Sequence, residues 1–375
     1  MTIKHIVLCG GGPIGMISYG AIKNLINNKI IKYENIKSVY STSVGCFIAL
    51  FILLNLDYEW IDDYLIKRPW ENLINFSSVE YFNIFYTKGL CDENFFINCF
   101  KPLFLAADIP INITLKEFYE INKIDWHIFT SNLSKFSKVD LNHKTHPNLS
   151  VIQAIIMSSS IPILIKPPYY NNEYYLDGGI FTNCPLSECI KNEKCNENEI
   201  ISFENDKRAP IDISNTYFNN KLNNSNNELS SNINLFNFLL YIIKTLFKKF
   251  MVIGNENYFN IKNTINVCIA SDHLDINYWI YVLNNTDERL RLIKLGEELG
   301  NIFTNKYNYT DISNINTDIS NINTYISNNY TDISNINTNI SNINTDISNN
   351  YTDISNNFIN NDISFENIII ESLNI

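Results

Sequence analysis

"VYSTSVGCFIALFIL", residues 39–53, runs from an apolar strand end through a cluster of small residues around Ser43 into an unbroken apolar stretch. A sharp turn from strand to helix at such a cluster pushes the Ser43 side chain out of the backbone envelope, the geometry a nucleophile requires. Ser41, Thr42, Ser43, Val44 and Gly45 follow the GxSxG elbow pattern, with the trailing glycine in place and Ser41 where the leading glycine is usual. Small flanking residues are needed there because strand and helix pass too close for larger ones. A serine at this point also suits a helix N-cap, and the elbow alone does not decide between the two roles.

Upstream, "KHIVLC" (4–9) is a continuous apolar run that ends in "GGGPIG", after which "MISYGAIKNLINN" has apolar residues at helical spacing. Downstream, "IKSVYST" (36–42), "WHIFTSNL" (126–133), "YYLDGG" (174–179), "EIISFEN" (199–205) and "NTINVCIAS" (263–271) read as further strands. Cys46 to Leu56, "LSVIQAIIMSSS" (149–160, opened by Asn148 or Ser150) and "DERLRLIKLGEELGNIF" (287–303) read as helices. Helices interleaved with buried strands predict an α/β fold with a mostly parallel sheet.

Gly10, Gly11, Gly12 and Gly15 lie directly after the first strand and open a helix. Such a loop lets backbone N–H groups converge beside a positive helix end, which suits a phosphate or an oxyanion. Gly10, Gly12 and Gly15 also fit GxGxxG, but the acidic residue of a dinucleotide site would then be Glu34, in a polar connection rather than at a strand end. Asp177, followed by Gly178 and Gly179, is an ordinary turn residue and equally a candidate general base. His5, His127, His143 and His146 all precede it, and only His273 follows, in "SDHLD" without a small-residue frame. A Ser43 and Asp177 pair without histidine is the more economical assignment.

In these residues the chain resembles the patatin-like phospholipases, with "GGGPIG", "STSVG" and "DGG" in that order, "SSSIPILIKPP" before the last motif and "NCP" after it. The resemblance runs from about residue 4 to 305, apart from the 208–258 insertion. It departs from the family at Ile14, where many members carry a basic residue, and at Ser41. It implies a three-layer α/β sandwich in which Ser43 is the nucleophile and Asp177 its base. The oxyanion loop would be formed by Gly10, Gly11, Gly12 and Gly15, and no metal or organic cofactor is implied. The expected activity is hydrolysis of phospholipid or other lipid acyl esters, with a membrane or lipid aggregate as partner. The rivals are a catalytically inactive scaffold on the same fold and a soluble esterase for small esters.

Three stretches lie outside this core. Asn215 to Asn234 is dense in Asn and Ser, as expected of a surface insertion. It leads into "LFNFLLYIIKTLFKKFMVI" (235–253), whose apolar part is too short to span a bilayer and whose Lys244, Lys248 and Lys249 flank a broad apolar face. That pattern fits a core or lid helix, or one lying in a membrane interface. Residues 306–375 repeat "TDISNIN" with period seven, placing Ile312, Ile315, Ile319 and Ile322 at alternating steps of three and four. The spacing suits a coiled coil that would join copies of the chain, whereas the Asn, Ser and Thr content suits a disordered low-complexity tail, with a repetitive β structure as a third reading.

The formal charge of −11 is concentrated in that tail, which accounts for seven of the eleven, so no nucleic-acid partner is expected. The N-terminus has no apolar stretch long enough for a signal peptide, and the scattered cysteines read as small core hydrophobes, so a reduced, cytoplasmic setting is expected, with a peripheral position at a membrane surface. Cys184, Cys189 and Cys195 are clustered without a CxxC or a nearby His, and no zinc site is expected.

Overall fold

Strands buried on both faces need apolar residues throughout, and "HIVL" and "SVYST" meet that condition as β1 (His5–Leu8) and β2 (Ser38–Thr42), with every residue buried. The computed structural model describes residues 2–74, 86–205, 238–239, 241–242, 245–246, 249, 261–267 and 276–308. Most of the 208–258 insertion, His273 and the 309–375 part of the repeat tail therefore lie outside the described residues.

The other strands are β3 (Gly89–Cys91), β4 (Asp125–Asn132), β5 (Ser137–Leu141), β6 (Ile163–Ile165), β7 (Tyr169–Tyr170), β8 (Glu173–Asp177), β9 (Ile200–Glu204) and β10 (Thr264–Asn266). The helices are α1 (Gly15–Asn27), α2 (Val44–Leu53), α3 (Tyr58–Lys67), α4 (Glu71–Ile74), α5 (Glu93–Ala106), α6 (Leu115–Asn122), α7 (Val151–Ser159), α8 (Leu186–Glu193), α9 (Ile276–Asn284) and α10 (Thr286–Asn308). Ser150, not Asn148, opens α7, its hydroxyl accepting from the Gln153 amide at 3.2 Å.

The main sheet has the order β10-β9-β1-β2-β4-β8-β7, with β5 also pairing with β4. From β10 to β4 every pairing is parallel, whereas β5 and β8 meet β4 antiparallel and β7 meets β8 antiparallel. The sheet is thus parallel on one side of β4 and antiparallel on the other. β3 and β6 form a separate two-stranded parallel sheet.

Both faces of the main sheet are covered, the three-layer α/β arrangement expected. On one face Val7, Tyr40 and Phe129 pack with Leu186 and Cys189 of α8. On the other, Thr130 donates to the Met157 carbonyl of α7 at 2.8 Å and Ser41 contacts Cys46 of α2 at 3.3 Å. The α2 sequence is apolar on nearly all sides because it is a buried helix, with Cys46 and Ile48 to Leu53 all inside. Among the described residues no helix is long and apolar enough to cross a membrane.

Candidate active site

Between β2 and α2 the chain turns within one residue. Ser43 has φ 54 and ψ −125, a combination that L-residues rarely adopt and that costs of order 1–3 kcal/mol. Gly45 follows because α2 passes directly over β1: a Cβ there would lie 2.4 Å from the Leu8 carbonyl oxygen. Ser41 stands in the leading position because its side chain has a partner, the Trp126 indole N–H, which donates to its Oγ at 2.8 Å. Ser43 begins α2 without making a side-chain cap bond. Its Oγ–H instead donates to Asp177 Oδ2 at 2.6 Å.

Asp177 is held as firmly. Its Oδ1 accepts from the Gly179 amide at 2.7 Å, its own amide donates to the Ser160 carbonyl at 3.0 Å, and its carbonyl accepts from Ser131 Oγ at 2.8 Å. One carboxylate oxygen therefore makes the turn and the other meets Ser43. Gly178 is required by close approach, since a Cβ there would lie 2.1 Å from the Phe129 carbonyl oxygen. Asp177 is 2% exposed, and burial pushes its carboxyl up to about 6, with the bonds from Ser43 and Gly179 opposing the rise.

The glycine loop lies against this pair. A Cβ on Gly10 would stand 3.1 Å from the Ser43 Cβ and 2.5 Å from Asn183 Oδ1, so only glycine fits. The Gly10 amide donates to the Asn183 carbonyl at 3.0 Å, and the Gly15 amide closes the turn onto Gly12 and Pro13 carbonyls. Among the described residues the Gly11 and Gly12 amides have no acceptor, which leaves them available to a developing negative charge. Gly12 has φ 58, left-handed backbone that favours glycine. Glu34 sits in a short 3-10 turn (Tyr33–Asn35), not at the end of a strand, so the dinucleotide reading has no ribose partner there.

Of the histidines, His5 Nδ1 lies 2.8 Å from Ser38 Oγ, His127 Nδ1 lies 2.7 Å from Asp140, His143 Nδ1 lies 3.1 Å from Asp125 and His146 Nδ1 lies 2.9 Å from Thr145. Four of the five are thereby placed away from Ser43, and His273 lies outside the described residues. His127 is held between Asp125 and Asp140; burial disfavours its charge, but the hydrogen bonds to the two carboxylates prevail and raise it to about 9.

Three features of the site are absent from the sequence reading. Ser158, fully buried, accepts the Ser43 amide at 2.9 Å and donates to the Phe129 carbonyl at 2.6 Å, so it fixes the turn from behind. Ser158→Ala is expected to lower stability by about 1–3 kcal/mol by orphaning that buried amide. Urea unfolding measures it, and an unchanged midpoint would mean the amide finds another acceptor. Trp279 of α9 lies on Gly12, its ring carbons 2.4 Å from where a Cβ would be. Cys9 and Cys184 form a disulfide, Cα to Cα 4.4 Å, between the residue before Gly10 and the residue after Asn183. The reading of several cysteines as free core residues does not extend to these two, which face each other because the glycine loop and the turn after Asp177 converge. "NCP" and "LCG" each held a cysteine beside a motif, the one signal that pointed to it.

Residues 6–190 match the patatin-like phospholipase family model, a span that includes the glycine loop, Ser43 and Asp177. Residues 6–190 belong to the patatin-like phospholipase family. The patatin-like chain is 29% identical over 193 residues to the probable lipid hydrolase 463L of invertebrate iridescent virus 6, covering 50% of this chain and 63% of that protein. The match therefore spans just under two thirds of that relative's length. The uncharacterized protein R571 of Acanthamoeba polyphaga mimivirus is 26% identical over 246 residues, 64% of this chain and 74% of its own. Among solved structures, VipD from Legionella pneumophila aligns at TM-score 0.47 and 16% identity, over 82% of the patatin-like chain and 67% of VipD.

Proposed function

We propose that the chain hydrolyses lipid acyl esters by acyl transfer to Ser43. Asp177 removes the Oγ proton directly as Ser43 attacks the ester carbonyl, and the amides of Gly11 and Gly12 hold the tetrahedral oxyanion. Asp177 returns that proton to the departing alkoxide, which leaves as the alcohol and yields an acyl-Ser43. The carboxylate then takes a proton from water, whose attack releases the fatty acid and restores the Ser43 hydroxyl. The observation that carries this reading is the 2.6 Å contact of Ser43 Oγ with Asp177 Oδ2, both buried beside the glycine loop. Ser158 supports it as a positioning residue, because its hydroxyl ties the nucleophile's strained backbone to the Phe129 carbonyl of β4.

A lipid substrate rests on family membership and on the name of the iridescent virus relative. An inactive scaffold would have no need to retain Ser43 and Asp177 in contact, so the enzyme is the reading favoured. The test is fatty-acid release from phospholipid vesicles and from a short soluble ester, comparing wild type with Ser43→Ala. Release that depends on Ser43 and favours vesicles supports the lipase. Preference for the soluble ester would make the chain an esterase, and no release from folded protein would return the scaffold reading.

A further inference from the structure

At the end of the sheet opposite Ser43, where β1 begins, a side chain of the first strand faces two from the connection between α8 and β9. His5, Cys195 and Glu199 each place a ligand atom within 4.8 Å of the others. His5 opens β1, Cys195 follows the left-handed Lys194 (φ 47) that ends α8, and Glu199 closes the 3-10 turn that leads into β9. We propose that His5, Cys195 and Glu199 bind one divalent transition-metal ion of the zinc class.

The donor set is nitrogen, sulfur and carboxylate oxygen, the chemistry zinc prefers. Zinc bond lengths of about 2.0–2.3 Å put neighbouring donors roughly 3.3–3.8 Å apart in a tetrahedral shell, so side-chain movements of about 1 Å would close this trio on an ion. His5 is 3% exposed, so its ring is held in place with little freedom to turn away from Cys195 and Glu199. Ser38 Oγ, 2.8 Å from Nδ1, orients the ring as outer-shell partners of metal-binding histidines do. Glu193 Oε2 lies 3.6 Å from the same nitrogen, and its Oε1 accepts from the Tyr40 hydroxyl at 2.9 Å. A bound ion would hold Cys195 as the thiolate and displace its proton.

An ion pair joins Lys4 to Glu199. It accounts for the carboxylate, but not for an imidazole and a thiol that both lie within 4.8 Å of that carboxylate. The Lys4 side chain is 29% exposed and free to swing into solvent, which makes it a competitor for the site. Along the chain Cys195 has no histidine near it; the fold brings one from the first strand. An ion there fastens the α8 to β9 connection onto β1, so it acts on thermal stability more than on turnover.

The experiment uses the full chain, stripped with a chelator and titrated with zinc, then with cobalt as a spectroscopic probe. One equivalent of tightly bound zinc, a rise in melting temperature with zinc, and a thiolate-to-cobalt charge-transfer band are expected. Cys195→Ser, a change at a half-buried position that circular dichroism checks for folding, should remove the band and weaken zinc at least about tenfold. Lys4→Met should tighten zinc by removing the competing ammonium group. Zinc affinity and cobalt spectrum unchanged in Cys195→Ser would place the ion elsewhere and overturn the proposal. So would no binding to the folded wild type, or binding weakened by Lys4→Met, which is what a cluster stabilised only by its ion pair would give.

Discussion

Exchange of Ser43 for alanine is expected to lower ester turnover by about 10⁴-fold or more, the scale on which loss of a covalent nucleophile is felt. Ser43→Gly should be equally inactive, yet the two variants should differ in stability. Both lose the hydrogen bond to Asp177, so that loss cancels between them. What remains is the backbone at φ 54 and ψ −125, which glycine adopts freely and alanine does not. The glycine variant should be the more stable by about 1–3 kcal/mol, read from urea unfolding at neutral pH. Equal stabilities would mean that the turn stores no strain, and residual turnover in either variant would remove Ser43 from the mechanism.

Asp177→Asn should cost turnover about 10³-fold or more while the fold persists. An Asn side chain still accepts from the Gly179 amide and can direct its NH₂ at Ser43 Oγ, but it cannot take the proton. In the wild type kcat/KM should rise with pH through about 6, where the carboxyl loses its proton, and then level off. Stability moves the other way. The folded carboxyl has its pKa raised from 3.8 to about 6, so the folded state holds the proton more tightly than the unfolded chain. That contribution is complete below about pH 4 and is lost as pH rises to about 6, after which the buried charge costs roughly 3 kcal/mol. The Asn variant carries no such charge, so its stability relative to wild type should grow across that window. A difference between the two proteins that does not change with pH would show that Asp177 does not titrate there.

Much of this site was legible because its parts sit beside local signals: a glycine run after an apolar strand, a small-residue turn into an apolar helix, and an Asp-Gly-Gly. Their convergence followed from the alternation of strands and helices, which the parallel pairing of β1 with β2 and β9 matches. The parts that escaped are those whose reason lies in a partner far along the chain. Ser158 looks like any small residue of a buried helix until Ser43 is placed on it. Ser41 looks like an imperfect elbow glycine until the Trp126 indole is seen to fill its hydroxyl's needs. The antiparallel edge was missed for a related reason: apolar runs reveal that a strand is buried but not the direction of its neighbour.

The pairing of β1 has a consequence for synthesis. One edge of β1 meets β2, in register from His5 with Ser38, but the other meets β9, His5 with Ile200. At ribosomal rates of about 5–20 residues per second, an emerging chain carries β1 half-paired for roughly 8–32 s between completion of β2 and the arrival of Ile200. Helix α1 waits longer still, because Gly20 packs against the Ile293 carbonyl of α10. The glycine loop that both elements hold is therefore made long before it can be fixed. Any nascent chain released before β9 is complete exposes an apolar strand edge beside an unformed glycine loop.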